Sequence, residues 1–153
     1  MRMKLLLVAI IAALGVGMSA CSSKKDDAKP NSSFSFKLDK DTYQSNATEA
    51  YVTDTVYTGK KTLVIDGVTN NFGYHMELMI TFPKDSLTTG SFEGVEMSLM
   101  QIQQKEMGYT GQNIKVNITS INSKHAEGTF SGVLSNGDIE KPLTDGTFKV
   151  EIY

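Results

Sequence analysis

Apolar and polar residues alternate with a period of two through most of the chain after residue 34. Between residues 74 and 82 every second residue is apolar, whereas His75 and Glu77 fall on the other side. The same alternation recurs at 34–38, 95–99, 114–118 and 148–152. Because successive side chains of a strand point to opposite faces of a sheet, the pattern predicts β-strands with one buried face.

Short turn-forming sequences separate these runs, and Pro83 is expected to end the strand before it. The turn signals are Gly59-Lys60, Asp66-Gly67, Thr89-Gly90, Asn136-Gly137-Asp138 and Asp145-Gly146. Strands spaced in this way predict an all-β fold, an antiparallel β-sandwich or a partly open barrel of about 7–9 strands.

Residues 97–107 leave one alternative open within this all-β prediction. Their apolar residues at 97, 100, 102 and 107 stand among Gln, Lys and Glu, a spacing compatible with a short helix. A strand followed by a loop is the favoured interpretation.

The amino-terminal residues have the layout of a secretory signal peptide. Arg2 and Lys4 precede an apolar run from Leu5 to Val16, and small residues follow it. The run is too short for a permanent transmembrane helix, which needs about 18–20 apolar residues. We therefore assign residues 1–20 to a signal peptide.

The segment Met18-Ser19-Ala20-Cys21 resembles the lipobox of bacterial lipoproteins, although Met18 replaces the usual Leu, Val or Ile. The resemblance implies cleavage before Cys21 and attachment of acyl chains such as palmitate to it. Several chains anchor a protein firmly, since each buried CH₂ contributes about 0.8 kcal/mol. The alternative is an ordinary signal peptide with Cys21 there by chance; we favour lipidation because Cys21 is the chain's single cysteine.

Residues 21–33 are rich in Ser, Lys, Asp and Asn, a composition that predicts a flexible tether before a single domain at 34–153. Within the tether, Lys25-Asp26-Asp27 resembles the export signal of surface lipoproteins in Bacteroidota-type bacteria. An ordinary solvated charge run is the alternative. We expect a lipid anchor in the outer membrane, with the domain at the cell surface rather than on the periplasmic side.

Two stretches near the carboxyl end, Gly-Thr-Phe-Ser-Gly at 128–132 and Thr-Asp-Gly-Thr-Phe at 144–148, support the same assignment. With the lipobox they resemble small Bacteroidota-type lipoprotein domains of unknown function, over about a third of the chain. Such domains often contain a Trp that this chain lacks. The resemblance implies an all-β surface domain and carries no activity or site residues.

Two shorter patterns concern covalent modification. Asp54-Thr55-Val56 and Asp85-Ser86-Leu87 resemble O-glycosylation acceptors of Bacteroidota-type envelopes. Three-residue patterns arise often by chance, so the sequence leaves open whether Thr55 or Ser86 is modified.

Charge and residue types argue against several classes of function. Residues 34–153 hold 10 Lys and no Arg against 15 Asp and Glu, so a nucleic-acid partner is not expected. His75 and the nearby methionines could suggest a copper(I) site, but Met76 would face away from His75, and methionine commonly fills cores. We predict core packing, with no metal and no cofactor.

No catalytic arrangement can be assembled from the remaining residues. His125 follows Lys124 at an expected turn without a Ser or Asp partner at a recognisable spacing. The carboxylate pairs Glu93/Glu96 and Asp138/Glu140 lie beside turns, where solvated charge is the simpler interpretation. We therefore expect a protein that is not an enzyme.

Tyrosine is the residue type that points towards a ligand. Five tyrosines, Tyr43 among them, could stack on sugar rings if some share an exposed face, although tyrosine is also an ordinary strand residue. The candidate ligand-stacking residues are Tyr51, Tyr57, Tyr74 and Tyr109. The expected function is binding of a glycan, a small ligand or a protein partner, and the alternative is an accessory subunit of an outer-membrane complex.

The alternation at 128–132 places Phe130 in the core with Thr129 and Ser131 outside, and Phe148 likewise faces inward. Phe130→Ala and Phe148→Ala should each lower the free energy of unfolding by about 3–5 kcal/mol. Urea denaturation measures this, with Thr129→Ala as the outward-facing control. A loss below about 1 kcal/mol for either phenylalanine would refute its core assignment.

Overall fold

The computed structural model describes residues 32–104 and 106–153, and of residues 106 and 107 it describes the backbone without the side chains. The signal peptide, Cys21, the export-like motif and nearly all of the tether lie outside the described residues.

Nine antiparallel strands form one sheet. They are β1 Ser33–Leu38, β2 Asp41–Ser45, β3 Thr48–Thr53, β4 Thr62–Val68, β5 Tyr74–Thr81, β6 Gly90–Gln101, β7 Glu106–Ile121, β8 His125–Asn136 and β9 Ile139–Glu151. The strand order is β2-β1-β9-β8-β7-β6-β5-β4-β3, so the first hairpin pairs with the last strand. The sheet is therefore curled into a nearly closed barrel, which confirms the all-β prediction in its barrel form rather than as two facing sheets.

The region for which a helix was the alternative is a strand and a turn. Residues 97–101 belong to β6 and 102–104 form a turn, so no helix occurs there among the described residues. The hairpin expected at Asn136-Gly137-Asp138 is present between β8 and β9, and β5 ends two residues before Pro83.

Three sequence expectations about strand limits were wrong. Asp66-Gly67 lies inside β4, paired with Glu77 and Met76, and Asp145-Gly146 lies inside β9. The alternation of Tyr51, Thr53, Thr55 and Tyr57 also predicts a strand over 51–57, but β3 ends at Thr53 and residues 54–61 form a loop. An Asp-Gly pair serves a bulge or a close strand approach as readily as a turn, and local sequence does not distinguish these uses.

The predicted apolar faces line the inside of the barrel. Met76, Leu78 and Ile80 of β5 are fully buried, and Phe130 and Phe148 are each 3% exposed. Thr129 and Ser131 are exposed, so the alternation in β8 is as predicted. The buried side chains form one core cluster, against which further residues from β2, β5 and β6 pack.

A row of irregular pairings crosses neighbouring strands and bends the sheet. The register shifts between Glu93 and Val95 on β6, between Gln112 and Lys115 on β7, and between Phe130 and Gly132 on β8. It also shifts between β1 and β9 at Ser35/Lys37. Gly94, Asn113 and Asp145 have positive φ angles of 69°, 53° and 52° within this row. Because a bulge bends its strand and increases the local twist, the row supplies curvature for closure.

Gly146 lies at a close approach of two strands of this row. A Cβ atom at Gly146 would overlap the backbone carbonyl oxygen of Phe130 and lie 2.6 Å from the Phe130 ring. Only a residue without a side chain lets β8 and β9 meet here. The close approach is the physical reason for glycine in the second sequence stretch noted above.

The connections divide the barrel into two ends. Turns 39–40, 69–73, 102–104 and 137–138 lie at one end, which we call the turn end. Loops 54–61, 82–89 and 122–124 lie at the other, together with residues 32 and 153, and we call this the terminal end. Ser32 accepts a hydrogen bond from the Glu151 amide there, and Tyr153 donates to the carbonyl of Ala50.

Gly146→Ala should lower the free energy of unfolding by about 1–3 kcal/mol, because the new methyl group meets backbone that cannot rotate away. Urea denaturation tests this, with Gly73→Ala as the control. The Cβ atom added at residue 73 would meet only the exposed Asn71 side chain, at 3.2 Å. Equal losses in the two variants would show that the β8–β9 approach is not constrained at Gly146.

Candidate functional site

Three tyrosines meet at the turn end of the barrel. Tyr43 of β2 and Tyr74 of β5 have ring centroids 5.4 Å apart in an edge-to-face arrangement, and the centroids of Tyr74 and Tyr109 of β7 are 6.2 Å apart. Tyr43 pairs across the sheet with buried Phe36, and Tyr109 pairs with buried Leu99, so both face inward. We call Tyr43, Tyr74 and Tyr109 the tyrosine mouth.

The aromatic contacts continue below the mouth into the core. The Phe36 ring stacks on Tyr43 with centroids 5.4 Å apart, and it also contacts Phe34 at 5.9 Å and Phe130 at 6.1 Å. These side chains fix the depth and tilt of the Tyr43 ring. A ligand at this end would therefore meet the outer edges of the tyrosines, with packed side chains beneath them.

Lys141 of β9 lies on the inner wall beside the mouth. It pairs with fully buried Leu134, which places it on the inward face, and it is half-buried. Its Nζ atom is 5.2 Å from the centroid of the Tyr109 ring, within the range of a cation–π interaction. The interaction with the Tyr109 side chain is the main cause that raises the pKa of Lys141, so the ammonium stays charged at neutral pH.

Tyr43 stays protonated at neutral pH. Burial is the main cause that raises the pKa of Tyr43, followed by the charges of Tyr74 and Asp41, whereas Lys141 acts in the opposite direction. Asp41 begins β2 opposite Leu38, on the same inward register, and is exposed. The rings of the mouth thus lie between a cation on β9 and a carboxylate on β2.

The hydroxyl groups of Tyr43 and Tyr74 have hydrogen-bonding capacity that a ligand could use. Among residues 32–104 and 106–153, the tyrosine hydroxyls that donate to another side chain are those of Tyr57 and Tyr153, both outside the mouth. Tyr43 and Tyr74 are partly exposed. Their phenol groups can therefore donate to a ligand without breaking a hydrogen bond to the described part of the protein.

An exposed aromatic residue stands in the β4–β5 turn at this end. Phe72 is 72% exposed and has a φ angle of 54°, which is uncommon for a bulky residue. The turn is held by Asn71, whose Oδ1 accepts hydrogen bonds from the Thr69 hydroxyl at 2.7 Å and the Gly73 amide at 3.0 Å. Phe72 is thus held in solvent by a well-bonded turn, and Ile139, 57% exposed, begins β9 at the same end.

The structure brings together two of the four candidate stacking residues. Tyr74 and Tyr109 lie in the mouth with Tyr43. Tyr51 is 45% exposed on the outside of β3, and Tyr57 lies in the terminal-end loop, where its hydroxyl donates to Glu96 at 2.7 Å. The sequence analysis did not identify Lys141 as a site residue. Its position between Ile139 and Leu143 in a period of two indicates the inward face of the strand, and this was the available signal.

The two histidines lie on the outer face in ion-pair distance of carboxylates. His75 Nε2 is 2.7 Å from Asp66, and His125 Nε2 is 3.0 Å from Glu127, which also lies 2.7 Å from Lys149. Met76 is fully buried on the opposite face from His75, as the alternation predicted. Within the described residues, no group of three or more His, Cys, Asp or Glu side chains is arranged to hold a metal ion.

The two loops with the modification-like patterns lie at the terminal end. Thr55 and Ser86 are both exposed, Thr55 in the β3–β4 loop and Ser86 in the β5–β6 loop. Both are therefore at the opposite end from the tyrosine mouth.

The geometry defines a small antiparallel barrel with an aromatic, partly charged mouth at one end. Compared with protein-family models, curated proteins and solved structures, the chain matches none of them. In the described part of the chain, no helix has the length and apolar character needed to cross a membrane.

The ion pairs among Lys149, Glu127 and His125 on the outer face should make the stability of the protein depend on pH. The hydrogen bond from Lys149 is the main cause that lowers the pKa of Glu127 below its usual value. This contribution to stability is present above the pKa of Glu in the unfolded chain and is lost as the pH falls through the lowered pKa. Titration of the Glu127 carboxyl by NMR should show the lowered pKa, and Lys149→Met should raise it. An unchanged pKa in that variant would contradict the assignment, and Lys149→Arg should keep it low.

Proposed function

We propose that this chain is a lipid-anchored protein of the bacterial outer membrane that binds a ligand at the tyrosine mouth and catalyses no reaction. The convergence of Tyr43, Tyr74 and Tyr109 beside Lys141 is the observation that carries the proposal. Four separate strands supply these side chains to one end of the barrel. A partly exposed aromatic cluster with a few polar groups is the usual composition of a small-ligand site.

The position of the chain ends supports a mouth directed away from the membrane. Residue 32 lies at the terminal end, opposite the mouth, and the lipid on Cys21 would precede it by eleven residues. A flexible segment of that length spans roughly 18 Å on average, so the barrel would stand close to the membrane by its terminal end. Ligands would then reach the mouth from the side of the external medium, if the protein is displayed on the cell surface.

A glycan is the ligand class that we favour. Sugar rings offer an apolar face to aromatic side chains and hydroxyl groups to polar ones, and the mouth presents both kinds of partner within one small area. Phe36 stacks on Tyr43 and contacts Phe130, so a sugar ring resting on the tyrosine edges displaces no core side chain, whereas a long alkyl chain inserted into the core would. Phe72 supplies a further exposed aromatic face at the same end.

A second candidate is an accessory subunit that packs against an outer-membrane complex. Phe72 and Ile139 favour it, because both are large apolar side chains left exposed at the turn end. Exposed apolar patches are common at protein–protein contacts. Under this alternative, replacing both residues with Ser would abolish co-purification of the complex, whereas tyrosine substitutions within the mouth would leave it intact.

The favoured function is tested by glycan-array binding of the full-length chain in detergent. Tyr74→Ala should weaken binding by about tenfold, since loss of one aromatic contact costs about 1–1.5 kcal/mol. Tyr51→Ala is the matched control, because Tyr51 lies outside the barrel and away from the mouth. Thermal unfolding of each variant verifies folding. The proposal fails if the wild-type protein binds no glycan or if Tyr51→Ala weakens binding as much as Tyr74→Ala.

A further inference from the structure

We infer that the tyrosine mouth selects acidic sugars, with Lys141 and the phenol hydroxyls receiving a sugar carboxylate. This inference rests on the proposed function and names the ligand class for the same site. It is carried by the placement of a lysine on the inward face of the barrel, where the neighbouring positions of β9 are apolar: Ile139 and Leu143 flank Lys141 on that face.

Lys141 is held in place by the mouth itself. Its ammonium lies over the Tyr109 ring, and within the described residues no carboxylate oxygen lies within ion-pair distance of it. Lysines elsewhere on the barrel, such as Lys37, Lys115 and Lys149, are paired with Asp or Glu on the outer face. An ammonium group carries three donors, so Lys141 retains donors for a ligand after contacting Tyr109.

The phenol groups complete an oxyanion site. Neutral phenols are hydrogen-bond donors, and hydrogen bonds to an ionised acceptor are roughly twice as strong as those between neutral groups. The ring of Tyr74 lies between those of Tyr43 and Tyr109, with centroids 5.4 Å and 6.2 Å away. A carboxylate beside Lys141 would accept from the ammonium and from these hydroxyls together.

Asp41 narrows the class of anion. It lies on the β2 side of the mouth, at the start of the strand that carries Tyr43 and on the same inward register. The negative charge of Asp41 would repel a ligand with two negative charges, such as a phosphate monoester. Its carboxylate oxygens can accept hydrogen bonds from the hydroxyl groups of a sugar. A ring with one carboxylate and several hydroxyls therefore satisfies both Lys141 and Asp41, as a uronic acid does.

The experiment compares methyl glucuronide with methyl glucoside, which differ in a carboxylate replacing one CH₂OH group. Binding to the full-length chain in detergent is followed by NMR titration at low ionic strength. The glucuronide should bind at least about tenfold more tightly, and the difference should shrink with added salt. Glucose 6-phosphate should bind more weakly than the glucuronide.

Variants assign the effect to Lys141. Lys141→Met should remove the preference for the glucuronide over the glucoside, whereas Lys141→Arg should retain the preference. Lys149→Met is the matched control, because this lysine lies on the same strand but pairs with Glu127 outside the barrel. The control should leave the preference unaltered.

The outcomes separate this inference from the proposed function. If the two glycosides bind equally, if the array yields only neutral glycans, or if Lys141→Met keeps the preference, acidic selectivity is refuted while glycan binding stands. Tighter binding of the phosphate would refute the role given to Asp41. If no glycan and neither glycoside binds, both the inference and the proposed function are refuted.

Discussion

Closure of a single sheet around its own apolar face is the constraint on which this structure depends. The row of bulges across β6, β7, β8 and β9 supplies curvature. The curved sheet brings the β1–β2 hairpin beside the last strand, where β1 pairs with β9. Gly146 permits the close approach of β8 and β9 within that row. Without curvature of this kind, an all-antiparallel sheet of nine strands would leave long edges and an uncovered apolar face.

Closure also creates the candidate site. Tyr43 and Tyr109 are 66 residues apart in the chain, yet both stand at the turn end because alternate strands return there. The aromatic stack from Phe34 through Phe36 to Tyr43 connects the mouth to the core, so the same contacts that stabilise the fold also orient the phenol rings. Asp41 is exposed and Lys141 is half-buried, so water can solvate both charged groups when no ligand is bound. This avoids the cost of an unpaired buried charge.

Most of the strands could be predicted from the alternation, and so could the inward placement of Phe130 and Phe148. The limits of the strands could not. Asp66-Gly67 and Asp145-Gly146 looked like turns, yet the first continues a regular ladder and the second forms part of a bulge, because pairing with neighbouring strands decides between these uses. In the sequence, Tyr51 and Tyr57 were equivalent to Tyr74 and Tyr109 as candidates. The residue type alone does not show whether a tyrosine lies in the mouth or on the outer surface of the barrel.

The all-β class and the buried side of most strands follow from the amino-acid sequence, because both depend on the two-residue period of a strand. The expectation of a lipid anchor at Cys21 comes from the resemblance of residues 18–21 to a lipobox. The tertiary structure alone decided that the strands close into one barrel, that three tyrosines rather than others converge, and that Lys141 stands with them. The physical reason is register. Each bulge changes which residues face one another across the sheet. The final register depends on the pairings and bulges of all nine strands together, which the sequence of any one strand does not contain.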